Sequence, residues 1–173
     1  MKLNERAWAG QIISWIKQSI NDGITIFEDA TNDEGLKVAS GRTKFPDVLL
    51  FTDKVSGIVF NGWELKFPDT PADDSEMLEN ALEKAERLKS NSFVTWNGTE
   101  AIIWKINDDN YSLSSLEKLK VYPKEKDITK RNDLADRNNY NKHEAKLQKR
   151  LNEILHDLGQ LYENGELKNA INI

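Results

Sequence analysis

The chain has 173 residues, enough for one domain with a real core, and its 38% hydrophobic and 31% charged residues are typical of a globular protein with a hydrated surface. It contains no cysteine and only two histidines, which excludes disulfides, thiolate zinc sites and cysteine nucleophiles and argues against a histidine-built site. No apolar run is long enough to span a membrane, the net charge is −5, and we expect a cytoplasmic protein.

The predicted elements begin with an amphipathic helix at residues 4–20, where apolar residues recur at helical spacing. Asn4 is its expected N-cap, and the glycine at position 23 is expected to end it. The alternating, β-branched residues 24–29 predict a strand. The polar residues 30–45 predict a loop.

Two apolar segments then predict a hairpin, with strands at 46–52 and 57–67. The second strand begins apolar on both faces, which favours a central position in the sheet. A helix with an apolar stripe is predicted at 74–89. Strands at 92–97 and 100–106 follow it.

The pattern weakens toward the C-terminus. Residues 119–123 predict a last short strand, 124–142 are highly polar and predict a linker or exposed loop, and 143–163 predict an amphipathic helix. We therefore expect an α/β fold with a mixed sheet flanked by helices over residues 1–123. Residues 124–173 are expected to be a polar linker and a C-terminal helix, which would connect to a further domain or, as the alternative, cap the core.

Three charged residues stand out at the ends of the predicted hairpin strands. Asp47 precedes the first strand, and Glu64 and Lys66 lie near the end of the second. Because side chains alternate along a strand, Glu64 and Lys66 share one side, and antiparallel pairing brings Asp47 close to them. Two neighbouring carboxylates suit Mg²⁺, and a lysine beside them suits phosphodiester hydrolysis. On spacing alone, the alternative is that these charges simply face water.

The residues around this set resemble a known family. "FPD" at 45–47 is followed by "ELK" at 64–66, then by "KFPDTP" at 66–71 and "FVTWNG" at 93–98. This combination resembles the PD-(D/E)xK nuclease superfamily. In particular it is similar to the N-terminal nuclease domain of restriction endonucleases, of the type IIG and type I-like restriction-modification polypeptides. The resemblance covers about residues 1–106.

The resemblance implies a restriction-endonuclease-like αβββαβ core and a Mg²⁺-dependent DNA endonuclease. Asp47, Glu64 and the main-chain oxygen of Leu65 would hold Mg²⁺, for which Mn²⁺ would substitute. Lys66 would serve the attacking water. Cleavage would leave a 5′-phosphate and a 3′-hydroxyl.

Many relatives carry a further acid on the first helix or first strand, and here Glu28 and Glu5 are both candidates. Some relatives carry a glutamine in the helix after the "ELK" motif, and this chain has none at 74–89. Lys84 is a candidate replacement, but we expect it to be a solvent-facing helix residue. Arg42 and Lys44 are candidate phosphate contacts, with a solvated loop as the alternative.

The expected partner is double-stranded DNA, with no role for a membrane. An acidic chain does not bind DNA through a broad basic surface, so its contact with DNA is expected to be local or to be delivered by another domain. The resemblance implies methyltransferase or specificity domains of the same polypeptide or complex as that partner. Two other functions remain open. One is a repair or recombination nuclease that processes junctions or ends, and the other is a catalytically dead nuclease-like module that binds partners.

Overall fold

The computed structural model describes residues 2–32, 36–37, 43–44, 46–107 and 109–170. Within these ranges the chain forms a mixed sheet of six strands, packed between helices, and a separate pair of two-residue strands. In chain order the elements are α1 (Glu5–Asn21), β1 (Asp29–Thr31), β2 (Leu36–Lys37), β3 (Thr43–Lys44), β4 (Val48–Asp53), β5 (Ile58–Leu65), α2 (Ser75–Leu88), β6 (Ser92–Trp96), β7 (Ala101–Ile106), a 3₁₀ turn (Leu113–Ser115), β8 (Leu116–Val121), α3 (Arg131–Ala135) and α4 (Arg137–Glu163).

The strand order across the large sheet is β1-β4-β5-β6-β7-β8. The pair β5 and β6 is parallel, and the other neighbouring pairs are antiparallel. A parallel pair needs a crossover connection, and α2 supplies it between β5 and β6. The expected α/β class is confirmed, as are the mixed sheet flanked by helices and the αβββαβ order of α1, β1, β4, β5, α2 and β6.

The two faces of the sheet are covered by different helices. The apolar side of α1, with Trp8, Ile12 and Ile16, packs in one core cluster with Trp63 and Leu65 of β5. On the opposite face the apolar side of α2 packs against β6 and β7. The strand β5 is therefore covered on both sides, in agreement with the central position predicted for it.

Both early helices begin at side-chain caps. The Asn4 Oδ1 accepts a hydrogen bond from the Ala7 N–H at 2.7 Å, as predicted for α1. The Asp74 Oδ2 accepts one from the Met77 N–H at 3.1 Å and so starts α2. At the C-terminal end of α2, Lys89 adopts the left-handed conformation that commonly ends a helix.

The first strand begins later than the sequence predicts. Pairing of β1 with β4 starts where Asp29 faces Phe51, whereas the strand was expected at 24–29. The apolar residues that suggested the earlier start, Ile24 and Ile26, are 60% and 46% exposed. Alternation alone does not reveal whether a segment has a partner strand, and 24–28 precede the paired region.

The C-terminal helix also begins earlier than predicted, at Arg137 rather than 143. The polar segment 124–142 contains α3, and its four apolar residues are all buried in the main core: Ile128, Leu134, Ala135 and Tyr140. The apolar side of α4 lies in the same cluster as α1, while a connection to a further domain stays a prediction. Among the helices of the described ranges, none is long and apolar enough to cross a membrane.

Candidate metal and active site

The register of β4 and β5 brings Asp47 and Glu64 together. Val48 pairs with Trp63 in antiparallel register, so the residue before Val48 faces the residue after Trp63. The Asp47 Oδ2 accepts a hydrogen bond from the Leu65 N–H at 2.7 Å. This bond fixes Asp47 against the end of β5, beside Glu64.

Glu64 is buried between β5 and α2. Its side chain is only 9% exposed, and it lines a small cavity with residues of α2, including Ala81, Lys84 and Ala85. The Lys84 Nζ donates a hydrogen bond to the Glu64 Oε1 at 2.5 Å. The helix after the "ELK" motif therefore supplies a cation to the carboxylate of that motif.

The prediction that Lys84 faces solvent is wrong, since its side chain is only 12% exposed. Lys84 follows Ala81 by three positions and precedes Leu88 by four, so it belongs to the buried face of α2. This spacing was visible in the sequence. A lysine on an apolar stripe directly after a strand that carries an unpaired acid is the signal that could have identified the pair.

The surroundings of Glu64 favour its neutral form. Burial has the largest effect and raises the pKa of Glu64, Lys84 lowers it, and the negative charge of Asp47 raises it again. Together these effects raise the pKa of Glu64 to about 8. Burial and Asp47 therefore favour the protonated form of this carboxyl group, and the contact with Lys84 favours the ionised form. A divalent cation beside the two carboxylates would reverse this preference, because it stabilises their ionised forms.

This shift predicts a stability that depends on pH. Between pH 4.5 and about 8 the folded protein keeps a proton on Glu64 that the unfolded chain has lost, so the free energy of unfolding falls as pH rises. Glu64→Gln removes this titration. The unfolding free energy of the variant, relative to wild type, should therefore increase by about 3–5 kcal/mol between pH 5 and pH 9, in chelator.

Urea denaturation at several pH values measures this difference. Glu79→Gln, on an exposed position of α2, is the matched control, and its difference from wild type should stay nearly constant. A constant difference for Glu64→Gln as well would contradict the raised pKa.

Lys66 lies one step beyond β5, on the side of the sheet that carries Glu64. Its N–H donates to the Trp96 carbonyl at 3.1 Å, which continues the register in which Leu65 faces Trp96. Alternation therefore directs the Lys66 side chain to the side of Glu64. The side chain is half-buried, and none of the ion pairs between described residues includes it.

The two candidate additional acids occupy different ends of the sheet. The Glu5 Oε2, at the start of α1, accepts a hydrogen bond from the Phe67 N–H at 2.9 Å, just past Lys66. The Glu28 Oε1 accepts one from the Lys54 N–H in the turn after β4. Since β4 has six residues of about 3.3 Å each, that turn is about 20 Å from the start of the strand. The structure brings Glu5, not Glu28, to the strand end that carries the site.

The described residues do not test the two predicted phosphate contacts. Arg42 lies outside the described residues. Lys44 belongs to β3, but its side chain is also outside the described part of the chain. Both assignments stay predictions.

The side chains present fit Mg²⁺ better than a transition metal. In the described ranges no three or more His, Cys, Asp or Glu side chains form a group able to hold a metal. The candidate protein ligands at this site are the two carboxylates of Asp47 and Glu64 and the Leu65 carbonyl on the same strand end. Mg²⁺ is commonly bound in this way, through one or two carboxylates with waters completing its shell.

Comparison of the chain with protein-family models, with curated proteins and with solved structures gives no match. The case for a function therefore depends on the chemistry of the site and on the motif around it.

Proposed function

We propose that the chain is a Mg²⁺-dependent endonuclease that hydrolyses phosphodiester bonds of DNA. The observation that carries the proposal is the pairing of β4 and β5, which sets Asp47 opposite Glu64 with a 2.7 Å hydrogen bond to the Leu65 N–H. Two adjacent carboxylates, of which Asp47 is half-buried and Glu64 buried, are costly unless positive charge or a proton neutralises them, and Lys84 supplies a single charge to Glu64. Lys66, on the same side, adds the cationic group that phosphodiester chemistry needs.

Each residue has a distinct role in this proposal. Asp47 and Glu64, with the Leu65 carbonyl, would hold Mg²⁺, which when bound polarises phosphoryl oxygens and acidifies water. The hydrogen bond from the Leu65 N–H holds Asp47 in place, so its carboxylate needs little reorganisation. Lys66 orients the attacking water and stabilises negative charge that develops on the phosphate.

The reaction is a hydrolysis with a simple atom balance. The water oxygen forms a bond to phosphorus, and the bond from phosphorus to the 3′-oxygen breaks. The water gives up a proton, and the 3′-oxygen leaves as a hydroxyl after taking a proton from solvent. The products are a 5′-phosphate that contains the water oxygen and a 3′-hydroxyl.

The finer assignment, to the cleavage domain of a restriction-modification enzyme, depends on the resemblance of the motifs between 45 and 98. The acidic net charge of −5 supports a chain that relies on another module for most of its hold on DNA. Methyltransferase or specificity domains are the partners that this assignment implies.

Incubation of the chain with supercoiled plasmid DNA tests the proposal. We expect nicked and linear products with Mg²⁺ or Mn²⁺ and intact plasmid when a chelator is present. End analysis should find a 5′-phosphate. Cleavage that persists in chelator would contradict the proposal, and so would products that carry a 3′-phosphate.

A further inference from the structure

The contact between Lys84 and Glu64 is unusual among the ion pairs of the described residues. Both side chains are largely buried, at 12% and 9% exposure, and their N–O distance of 2.5 Å is the shortest that a pair of buried groups shows here. Most of the other pairs involve at least one group that is more than a third exposed. Pairs of that exposed kind contribute little, whereas a buried pair strongly affects any further charge placed beside it.

We propose that Lys84 is a built-in counter-cation of the site, which occupies one oxygen of Glu64 and so raises the concentration of divalent cation that the site needs. This inference rests on the proposed function, because it concerns the same two carboxylates. Lys84 is a positioning residue, since it touches Glu64 and acts on the metal through it.

The charges around Glu64 support this role. Asp47 and Glu64 carry two negative charges when ionised, and Lys84 neutralises one of them at hydrogen-bonding distance. A divalent cation held by Glu64 would share this carboxylate with the Lys84 ammonium, and the two positive charges would repel each other in a poorly hydrated environment.

Calorimetric titration of Mn²⁺ into the full chain at pH 8 tests the inference. We expect Lys84→Gln to bind Mn²⁺ about tenfold more tightly than wild type, because one nearby positive charge is lost. Lys84→Arg keeps the charge and should bind with the wild-type affinity. Arg87→Gln removes a positive charge from an exposed position of the same helix and should change the affinity little.

Circular dichroism confirms that each variant is folded, and Lys84→Met replaces Lys84→Gln if the latter does not fold. Unchanged or weaker Mn²⁺ binding by the neutral variants, with clear binding by wild type, would overturn the role of Lys84 alone. If Lys84 only supported the structure of the site, its neutral variants would bind Mn²⁺ more weakly than wild type. If neither wild type nor any variant binds Mn²⁺, both this inference and the proposed function are overturned.

Discussion

Asp47→Asn should slow DNA cleavage by about a thousandfold or more while the protein stays folded. Asparagine has the size of aspartate and keeps an oxygen that can accept from the Leu65 N–H, so the end of β5 is preserved. The variant loses the negative charge that, in the proposed function, holds a divalent cation. Loss of a metal ligand removes several kcal/mol of transition-state stabilisation, and about 1.4 kcal/mol corresponds to each factor of ten in rate.

The chain offers a matched control on the same strand. Asp53→Asn changes the same residue type at the far end of β4, where its carboxylate accepts from the Ser56 N–H in a turn. This variant should cleave at nearly the wild-type rate, and Glu64→Gln should behave like Asp47→Asn. Plasmid cleavage at saturating Mg²⁺ measures all three. If Asp47→Asn cut as fast as Asp53→Asn, Asp47 would have no role in the chemistry.

Lys66→Met should reduce cleavage by about a hundredfold to ten-thousandfold, the range typical of a group that assists proton transfer or stabilises charge in the transition state. Methionine keeps most of the aliphatic length of the half-buried side chain, so the fold should be retained. Because a positive charge is removed from the side that carries Glu64, Mn²⁺ should bind at least as tightly as to wild type. Loss of cleavage with intact metal binding would show that Lys66 acts in the chemical step and not as a metal ligand.

Lys54→Met, in the exposed turn after β4, is the control for the loss of one lysine. It should leave both cleavage and Mn²⁺ binding close to wild type. If Lys66→Met lost metal binding together with activity, Lys66 would be a structural support of the site. If it kept full activity, the site would not use the lysine of the "ELK" motif at all.

The hairpin and the meeting of its acids were predictable from sequence because both depend on local rules. Side chains alternate along a strand, and a short turn brings the start of one strand to the end of the next. Those two rules are enough to bring Asp47 to Glu64, as the register of β4 and β5 does. The strand β6 lies next to β5 in parallel, because the helix α2 connects the two strands as a crossover.

Lys84 was misjudged because a charged residue on a helix is usually read as solvated. The apolar stripe of α2 places Lys84 on the buried face, but its partner, Glu64, is twenty residues away in sequence, and the packing of α2 on β5 brings the two together. The position of Glu28 was likewise not predictable from the pattern of its own segment. Its place in the sheet depends on where β1 starts to pair, which is at Asp29 opposite Phe51, and the alternation of residues 24–29 does not show this.

The C-terminal part of the chain shows how polarity can conceal structure. Residues 124–142 contain few apolar residues, and the pattern there predicts a linker. Leu134 and Tyr140 are nevertheless buried in the main core, and the Leu3 N–H donates to the Ala135 carbonyl, which joins α3 to the start of the chain. With Ile128 and Ala135, four residues of this segment are buried, and their irregular spacing produces no detectable period, yet they are enough to dock a short helix.

A crystal of the chain soaked in Mn²⁺ tests the account most directly, because the anomalous signal of manganese locates the ion independently of any activity. We expect one strong peak within about 2.5 Å of carboxylate oxygens of both Asp47 and Glu64, with the Leu65 carbonyl beside it. The same soak of Asp47→Asn crystals should give no peak there. A site that stays empty in the wild-type protein at millimolar Mn²⁺, or a peak that involves neither carboxylate, would contradict the assignment of these residues to a metal-dependent nuclease.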